Sequence, residues 1–131
     1  MADEPIQEHE VYALVGEDGF TRICAAFYRG VQKDDILGPM YPADDMVGAE
    51  QRLRDFLIYR FGGPTTYIEQ RGHPRLRARH APFAINQAAR DRWLKLMLAA
   101  LQEAEIEGRA ADLLANFFEQ MATFLVNRPD S

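Results

Sequence analysis

The sequence contains three histidines, and the residues around each one decide which chemistry it can perform. His9 lies in an acidic N-terminal stretch, whereas His73 and His80 lie in the segment GHPRLRARHAPF, residues 72–83. Neither histidine of this segment has a cysteine or carboxylate at the spacing of zinc ligands, so a closed zinc site is not predicted. Considered alone, each is predicted to be a surface or hydrogen-bonded residue.

Two aromatic residues with hydrogen-bonding groups occupy positions that are predicted to face inward. Tyr28 follows Phe27 on the apolar face of the first predicted helix, and Trp93 begins the apolar face of the third. A buried tyrosine or tryptophan usually needs a partner for its O–H or N–H, and an indole N–H can only donate. The helix pattern itself supplies no acceptor for these donors. From the residues alone, each donor therefore bonds either a backbone carbonyl or a group from outside the helices.

Four amphipathic helices are predicted to position these residues, because apolar side chains recur at spacings of three and four. The first spans about 18–33; the second follows YPADD, where Asp44 or Asp45 can cap it; the third begins after the cap Asn86; and the fourth spans about 109–127. Their predicted inward faces are Phe20, Ile23, Cys24, Phe27, Tyr28 and Val31; Met46, Ala49, Leu53, Phe56, Leu57 and Arg60; Trp93, Leu96, Met97, Ala100, Leu101 and Ala104; and Leu113, Leu114, Phe117, Met121, Phe124 and Leu125.

The segment between the second and third helices is predicted to be irregular. From Gly62 to Asn86 it contains three prolines, at 64, 74 and 82, and no periodic apolar run long enough for a full helix. A four-helix bundle with short connections does not need so long a loop. Since no segment has the pattern of a strand, we expect an all-α fold, with residues 1–12 as a polar tail and residues 13–128 as one domain.

Composition restricts the classes of function. The chain has 131 residues and a net charge of -5, with 27% charged residues, which is typical of a soluble globular protein and not of a general nucleic-acid-binding chain. No apolar run approaches the ~18 residues that cross a bilayer, so no membrane role is predicted. Cys24 is the only cysteine and the N-terminus lacks a signal peptide, so a cytoplasmic location is expected.

Four stretches together resemble the truncated haemoglobins, and specifically their group II: FYRGV, MYPADDMVGAEQRLRDFL, FGGPTTYIEQRGHPRLRARHAPFAI and RDRWLKLM. The resemblance extends from about Leu14 to Asn127 with order and spacing intact. It implies a two-over-two helical sandwich around haem b. One departure is Val15, in LVGE, which stands where the family often has the first of two glycines before its second helix.

The resemblance also implies roles for individual residues. The histidine of RHAPF, which is His80, would ligate the iron from the proximal side. Tyr28, Trp93 and Tyr41 would stabilise a ligand on the distal side, where Ala49 matches the usual distal-histidine position. The full set of expected haem contacts is His80, Tyr28, Tyr41, Leu53, Phe56, Arg52, Arg79, Phe83, Trp93, Met97 and Tyr67, with Arg52 and Arg79 as partners of the haem propionates.

Haem would explain the irregular segment, because burial of its large apolar surface can order residues that have no helical pattern. A neutral His80 that bonds the iron through Nε2 would also need an acceptor for its other ring N–H, which we expect to be a nearby backbone carbonyl. His73, Arg75 and Arg77 receive no role.

The expected function is reversible binding of O₂, CO, NO or peroxide at a five-coordinate ferrous haem. Tight binding by distal donors favours redox, NO dioxygenase-like or weak peroxidase-like chemistry over bulk oxygen transport. The alternatives are a haem-based gas sensor, which would need a separate output partner, and a haem-free helical interaction module. The sequence leaves a reductase partner and a homodimer open.

Overall fold

The computed structural model describes residues 7–41, 43–72, 75, 76, 80 and 83–128. Over these residues five α-helices form: α1 (Val11–Gln32), α2 (Met46–Arg60), α3 (Thr66–Arg71), α4 (Gln87–Glu103) and α5 (Gly108–Phe124). Short 3₁₀ turns occupy Glu8–Glu10 and Gly38–Met40. The described part of the chain contains no strand, which confirms the predicted all-α class.

Helix α1 begins earlier than the sequence predicted because it consists of two helical stretches that meet at Gly16. The backbone of Gly16 has φ 76° and ψ 167°, which is non-helical and lies in a region that glycine adopts far more readily than other residues. This single glycine supplies the break even though Val15 precedes it. The stretch after Gly16 contains the predicted inward face, and all six of its members are buried.

The residues just before and at the start of α1 pack against the end of α2. Val11 is fully buried, Tyr12 N–H donates to the carbonyl of Phe61 at 2.9 Å, and Arg60 donates to Glu8 at 2.9 Å. Gly62, at φ 97°, lies so close to the backbone of residue 9 that a Cβ would overlap it. Residues 8–12, which were predicted to belong to the polar tail, therefore pack against the domain.

The predicted caps have different outcomes. Asn86 caps α4, since its side-chain oxygen accepts a hydrogen bond from Ala89 N–H at 3.0 Å. Asp45 occupies the N-cap of α2, but its carboxylate accepts no helix N–H and instead accepts from Arg52 at 3.2 Å. The side-chain cap predicted for Asp45 was therefore wrong.

The predicted irregular segment is partly helical. Helix α3 lies within it, and Leu76 and His80 also have helical backbones. Six residues are fewer than two turns, which is too short for an apolar period to emerge in a sequence. The prediction that this segment contains no helix was therefore wrong over Thr66–Arg71.

Helix α1 is central to the packing. It contacts α2, α4 and α5, while α4 also packs on α5 and α3 on α2. One predicted inward residue, Phe124, is 51% exposed at the last residue of α5, whereas Phe118 is buried and contacts Trp93 edge-on at 5.8 Å. The predicted inward face of α5 was therefore wrong at these two positions. None of the described helices combines the length and hydropathy needed to cross a bilayer.

An ion-pair cluster joins the segment after α1 to α4. Arg92 donates to Asp34 and Asp35, and the Asp34 carboxylate accepts the backbone N–H of Ile36 at 3.0 Å and of Leu37 at 2.8 Å. Partial burial disfavours ionisation of Asp34, but these hydrogen bonds outweigh it and lower the pKa of the carboxyl. The cluster therefore holds residues 34–37 against the helix that contains Trp93.

Candidate functional site

A cavity of about 430 Å³ opens into the fold and is lined by residues of every long helix. Two groups of residues line it on the side of α1 and α2: Tyr28, Leu37, Met40 and Tyr41, and then Ala49, Arg52, Leu53 and Phe56. Most of these side chains are apolar, so the cavity suits a largely apolar ligand.

The rest of the lining comes from the segment around His80 and from α4 and α5. The first contributes Leu76, His80, Phe83 and Ile85, and the helices contribute Ala89, Arg90, Trp93, Met121, Ala122 and Leu125. Arg52 and Arg90 are the two cationic side chains of the described lining. An apolar interior with a few cations matches a large apolar group that has anionic substituents.

His80 is oriented by the backbone one turn before it. Its Nδ1 lies 2.7 Å from the carbonyl oxygen of Leu76. Because a carbonyl can only accept, the hydrogen of this bond must be on Nδ1, and a neutral ring then has its lone pair on Nε2. This is the acceptor that the sequence predicted without naming it. The imidazole is thus prepared to bind a metal through Nε2.

The tyrosine and tryptophan donors form a cluster around Phe27. The Tyr28 and Tyr41 rings are perpendicular, with centroids 5.5 Å apart. Phe27 contacts both rings and the ring of Trp93 edge-on, at centroid distances of 5.3, 6.4 and 5.7 Å. Since Phe27 is 1% exposed, the core fixes the relative positions of the three polar rings.

The hydroxyl groups of the cluster have different partners. Tyr28 donates to the carbonyl of Ala49 at 3.2 Å, which uses its only hydrogen. The Tyr41 hydroxyl group instead interacts with Trp93, and this interaction acts to lower the pKa of Tyr41. Accepting a hydrogen bond leaves the hydroxyl hydrogen of Tyr41 to be donated to another group.

Burial keeps these hydroxyl groups protonated. It raises the pKa of Tyr41 to about 12, although the hydrogen bond from Trp93 acts in the opposite direction. It also raises the pKa of Tyr28 well above its usual value, and neighbouring Tyr41 adds to this effect. Both tyrosines are therefore hydrogen-bond donors and poor bases at any physiological pH.

The structure brings most of the predicted haem contacts together. Those that line the cavity are His80, Tyr28, Tyr41, Leu53, Phe56, Arg52, Phe83 and Trp93. Met97 does not line it: the cavity adjoins the first turns of α4, and Met97, one turn after Trp93, is fully buried in the core. Arg79 and the side chain of Tyr67 lie outside the described part of the structure.

Sequence reasoning missed several cavity residues, of which Arg90 is the most polar. Its guanidinium donates to Thr123 at 3.2 Å and Asp91 at 3.0 Å while its side chain is only 17% exposed. The available signal was its position one turn before Trp93, which places both residues on the same side of α4. Cys24, by contrast, is the core residue expected, with burial raising the pKa of its thiol to about 12.

The chain is similar to known proteins over most of its length. The family model for bacterial-like globins matches residues 10–127. A Bacillus subtilis protein described as a group 2 truncated hemoglobin is 33% identical over 120 residues, which cover 92% of this chain and 90% of that protein.

Solved structures give the same result. A hemoglobin from Chloroflexus aurantiacus is 44% identical with a TM-score of 0.87, and the match covers 95% of this chain and 100% of that one. A structure described as a truncated oxygen-avid haemoglobin from Bacillus subtilis is 34% identical with a TM-score of 0.85, and the match covers 89% and 98% of the two chains.

The all-helical fold and the histidine-bearing cavity define a globin. The chain belongs to the bacterial-like globins and, among them, to the group II truncated haemoglobins. Its fold is the two-over-two globin sandwich that the resemblance implied, its cofactor is haem b, and it binds gas ligands through that haem.

Proposed function

We propose that this globin holds a five-coordinate ferrous haem through His80 and binds O₂ tightly with donors from Tyr28, Tyr41 and Trp93. The observation that carries this proposal is that a histidine with its Nδ1 engaged by Leu76 and a cluster of three aromatic donors line one cavity. Haem, when bound, would supply a ferrous iron that can bind the imidazole of His80 and a diatomic ligand.

Five-coordination is supported by the composition of the lining. Among the described cavity residues, His80 is the only one with an imidazole. The position matched to a distal histidine is Ala49, whose side chain has no ligating atom, and Leu53 follows it one turn later. These residues exclude water and leave space for a small ligand beside the donors.

Tight binding is supported by the connection between Trp93 and Tyr41. The indole N–H polarises the Tyr41 hydroxyl by donating to its oxygen, and a chain of hydrogen bonds strengthens its terminal donor. A neutral ligand that gains negative charge on binding is stabilised by such a donor in an apolar cavity. Tyr28 can join only by releasing the carbonyl of Ala49, to which it now donates.

A tightly held O₂ favours chemistry on the ligand over bulk transport. Reaction with NO or peroxide, with electrons from a reductase, is the role that we propose. Catalysis by a distal general base is disfavoured, because burial raises the pKa of Tyr28 and the described lining offers no distal imidazole. The oxygen-avid description of the Bacillus subtilis relative supports tight binding.

Arg52 is proposed to orient the cofactor. It lines the cavity but is 45% exposed and paired with Asp45, so it can reach an anionic haem propionate at the cavity edge. An exposed pair of this kind contributes about 0.2 to 1 kcal/mol. Arg52 therefore sets the orientation of the haem more than its affinity. Arg79 is proposed for the same role on sequence grounds.

The purified protein is expected to show the ultraviolet–visible spectrum of a five-coordinate haem when reduced, and to convert to distinct O₂ and CO complexes. A spectrum that stays that of free haem after incubation with haem would instead favour the haem-free interaction module. A six-coordinate spectrum of the reduced protein without added ligand would contradict the open distal site. A gas sensor would share the spectrum but would show ligand-dependent binding to an output protein.

The rate of O₂ release is expected to stay constant between pH 7 and about 10. The raised pKa values of Tyr41 and Tyr28 keep both hydroxyl groups protonated over this interval. The free energy of unfolding follows the same limits. Folding raises the pKa of Tyr41, so the contribution of Tyr41 to stability is complete below its unfolded pKa of about 10 and is lost as the pH rises through about 12. The rate of O₂ release is measured by stopped flow at a series of pH values. An increase in this rate with a midpoint near neutral pH would contradict the raised pKa values.

A further inference from the structure

The segment that follows α5 is hydrogen-bonded to the segment that contains His80, and most of these bonds involve Asn127. Its amide nitrogen donates to the carbonyl of His80 at 3.2 Å and to that of Phe83 at 3.0 Å. Its amide oxygen accepts the N–H of Ile85 at 2.9 Å. The backbone N–H of Asn127 adds a further bond to the Ile85 carbonyl, also at 2.9 Å.

These contacts determine which way the Asn127 amide must face. The two amide hydrogens point at two carbonyl oxygens, and the amide oxygen faces an N–H group. The opposite orientation would place an oxygen against two oxygens and an NH₂ group against a donor. A neutral side chain of this length with both a donor and an acceptor is therefore needed, and among the standard residues asparagine provides it.

His80 is consequently held at two points. Its ring is fixed through Nδ1 by the carbonyl of Leu76 at 2.7 Å. Its backbone carbonyl accepts from Phe83 N–H at 3.0 Å and from the Asn127 amide. The first contact sets the ring plane, and the second sets where the backbone places that ring. Asn127 thus joins the segment after α5, in which Leu125 lines the cavity, to the backbone of His80.

We propose that Asn127 is a positioning residue for the proximal ligand: it fixes the backbone of His80 so that Nε2 meets the iron in one orientation. This inference rests on the proposed function, because it requires His80 to ligate the iron. Loss of the amide removes two donors from the carbonyls of His80 and Phe83 and one acceptor from Ile85. The His80 backbone then has several orientations available in place of one.

The test compares Asn127→Ala and Asn127→Asp with the control Asn86→Ala in the haem-loaded protein. Asn127→Asp keeps an acceptor for Ile85 but places a carboxylate oxygen against the carbonyls of His80 and Phe83. The control truncates another asparagine whose side chain accepts one backbone N–H, from Ala89, and which bonds neither His80 nor Phe83. The iron–histidine stretching band of the reduced protein is measured by resonance Raman spectroscopy, and haem loss is measured by transfer to an apoglobin acceptor.

Both Asn127 variants are expected to shift or broaden the iron–histidine band and to lose haem up to about tenfold faster, whereas Asn86→Ala keeps the band of the unmodified protein. An unchanged band in both Asn127 variants would overturn the inference, and so would an equal change in Asn86→Ala, which would indicate general loosening. If Asn127→Ala does not retain haem, Asn127→Asp, which keeps the Ile85 contact, decides the result. Absence of the band from the unmodified protein would instead refute the ligand role of His80 and with it the proposed function.

Discussion

Replacement of His80 by glycine is expected to abolish the axial bond to the haem iron, and added imidazole is expected to restore it. The side chain supplies the only imidazole of the described lining, and Leu76 holds its Nδ1 so that Nε2 is left for the metal. Glycine leaves a space of about the size of the lost ring. Free imidazole can occupy this space and ligate the iron without a covalent link to the chain.

The measured quantities are the spectrum of the reduced variant and its rate of haem loss, with and without imidazole. Without imidazole we expect the five-coordinate spectrum to disappear, because the directed bond to the iron is removed. Haem loss is expected to accelerate by at least about tenfold, which corresponds to about 1.4 kcal/mol. His9→Ala is the matched control, because His9 is exposed and does not line the cavity. If His80→Gly retained the spectrum of the unmodified protein, His80 would not be the ligand.

Periodicity predicted the parts of the fold that rest on long apolar stripes. All six residues predicted for the inward face of α1 are buried, and the cap Asn86 located the start of α4. A run of 17 to 22 residues repeats its pattern several times, so an error at one position does not hide the helix. The 3.6-residue period therefore suffices for such elements.

The same reasoning failed for a short helix, for an unusual backbone angle and for the position of the cavity. Helix α3 has six residues, and its pattern cannot be distinguished from a loop. The break at Gly16 depends on a backbone angle that many glycines do not adopt. Met97 and Trp93 share a predicted face, yet only Trp93 reaches the cavity, because the cavity adjoins only the first turns of α4.

The site followed a similar division. The resemblance provided the residue types that line the cavity, but neither it nor periodicity specified their hydrogen-bond partners. The carbonyl of Leu76, the interaction of Trp93 with Tyr41 and the contacts of Asn127 all join residues through the tertiary fold. Asn127 in particular carried no signal in the sequence, since an asparagine after a helix is ordinarily a helix-terminating or turn residue.

Replacement of Trp93 by phenylalanine is expected to accelerate O₂ release by up to about tenfold, because one net hydrogen bond contributes about 0.5 to 1.5 kcal/mol. In the proposed arrangement the indole N–H donates to the Tyr41 hydroxyl, so its loss also weakens Tyr41 as a donor. Phenylalanine retains an aromatic ring between Phe27 and Phe118, which contact Trp93 at 5.7 and 5.8 Å. Stopped-flow displacement of O₂ by CO measures the rate.

Tyr41→Phe separates two explanations of this effect. If Trp93 acts through Tyr41, the two single variants and the double variant release O₂ at similar rates, because the hydrogen bonds form one chain and their energies are not additive. If Trp93 donates directly to the ligand, the double variant is faster than either single one by the product of the two effects. Tyr12→Phe serves as the control, since Tyr12 stacks on Phe20 and does not line the cavity. A release rate of Trp93→Phe equal to that of the unmodified protein would remove Trp93 from ligand stabilisation under either explanation.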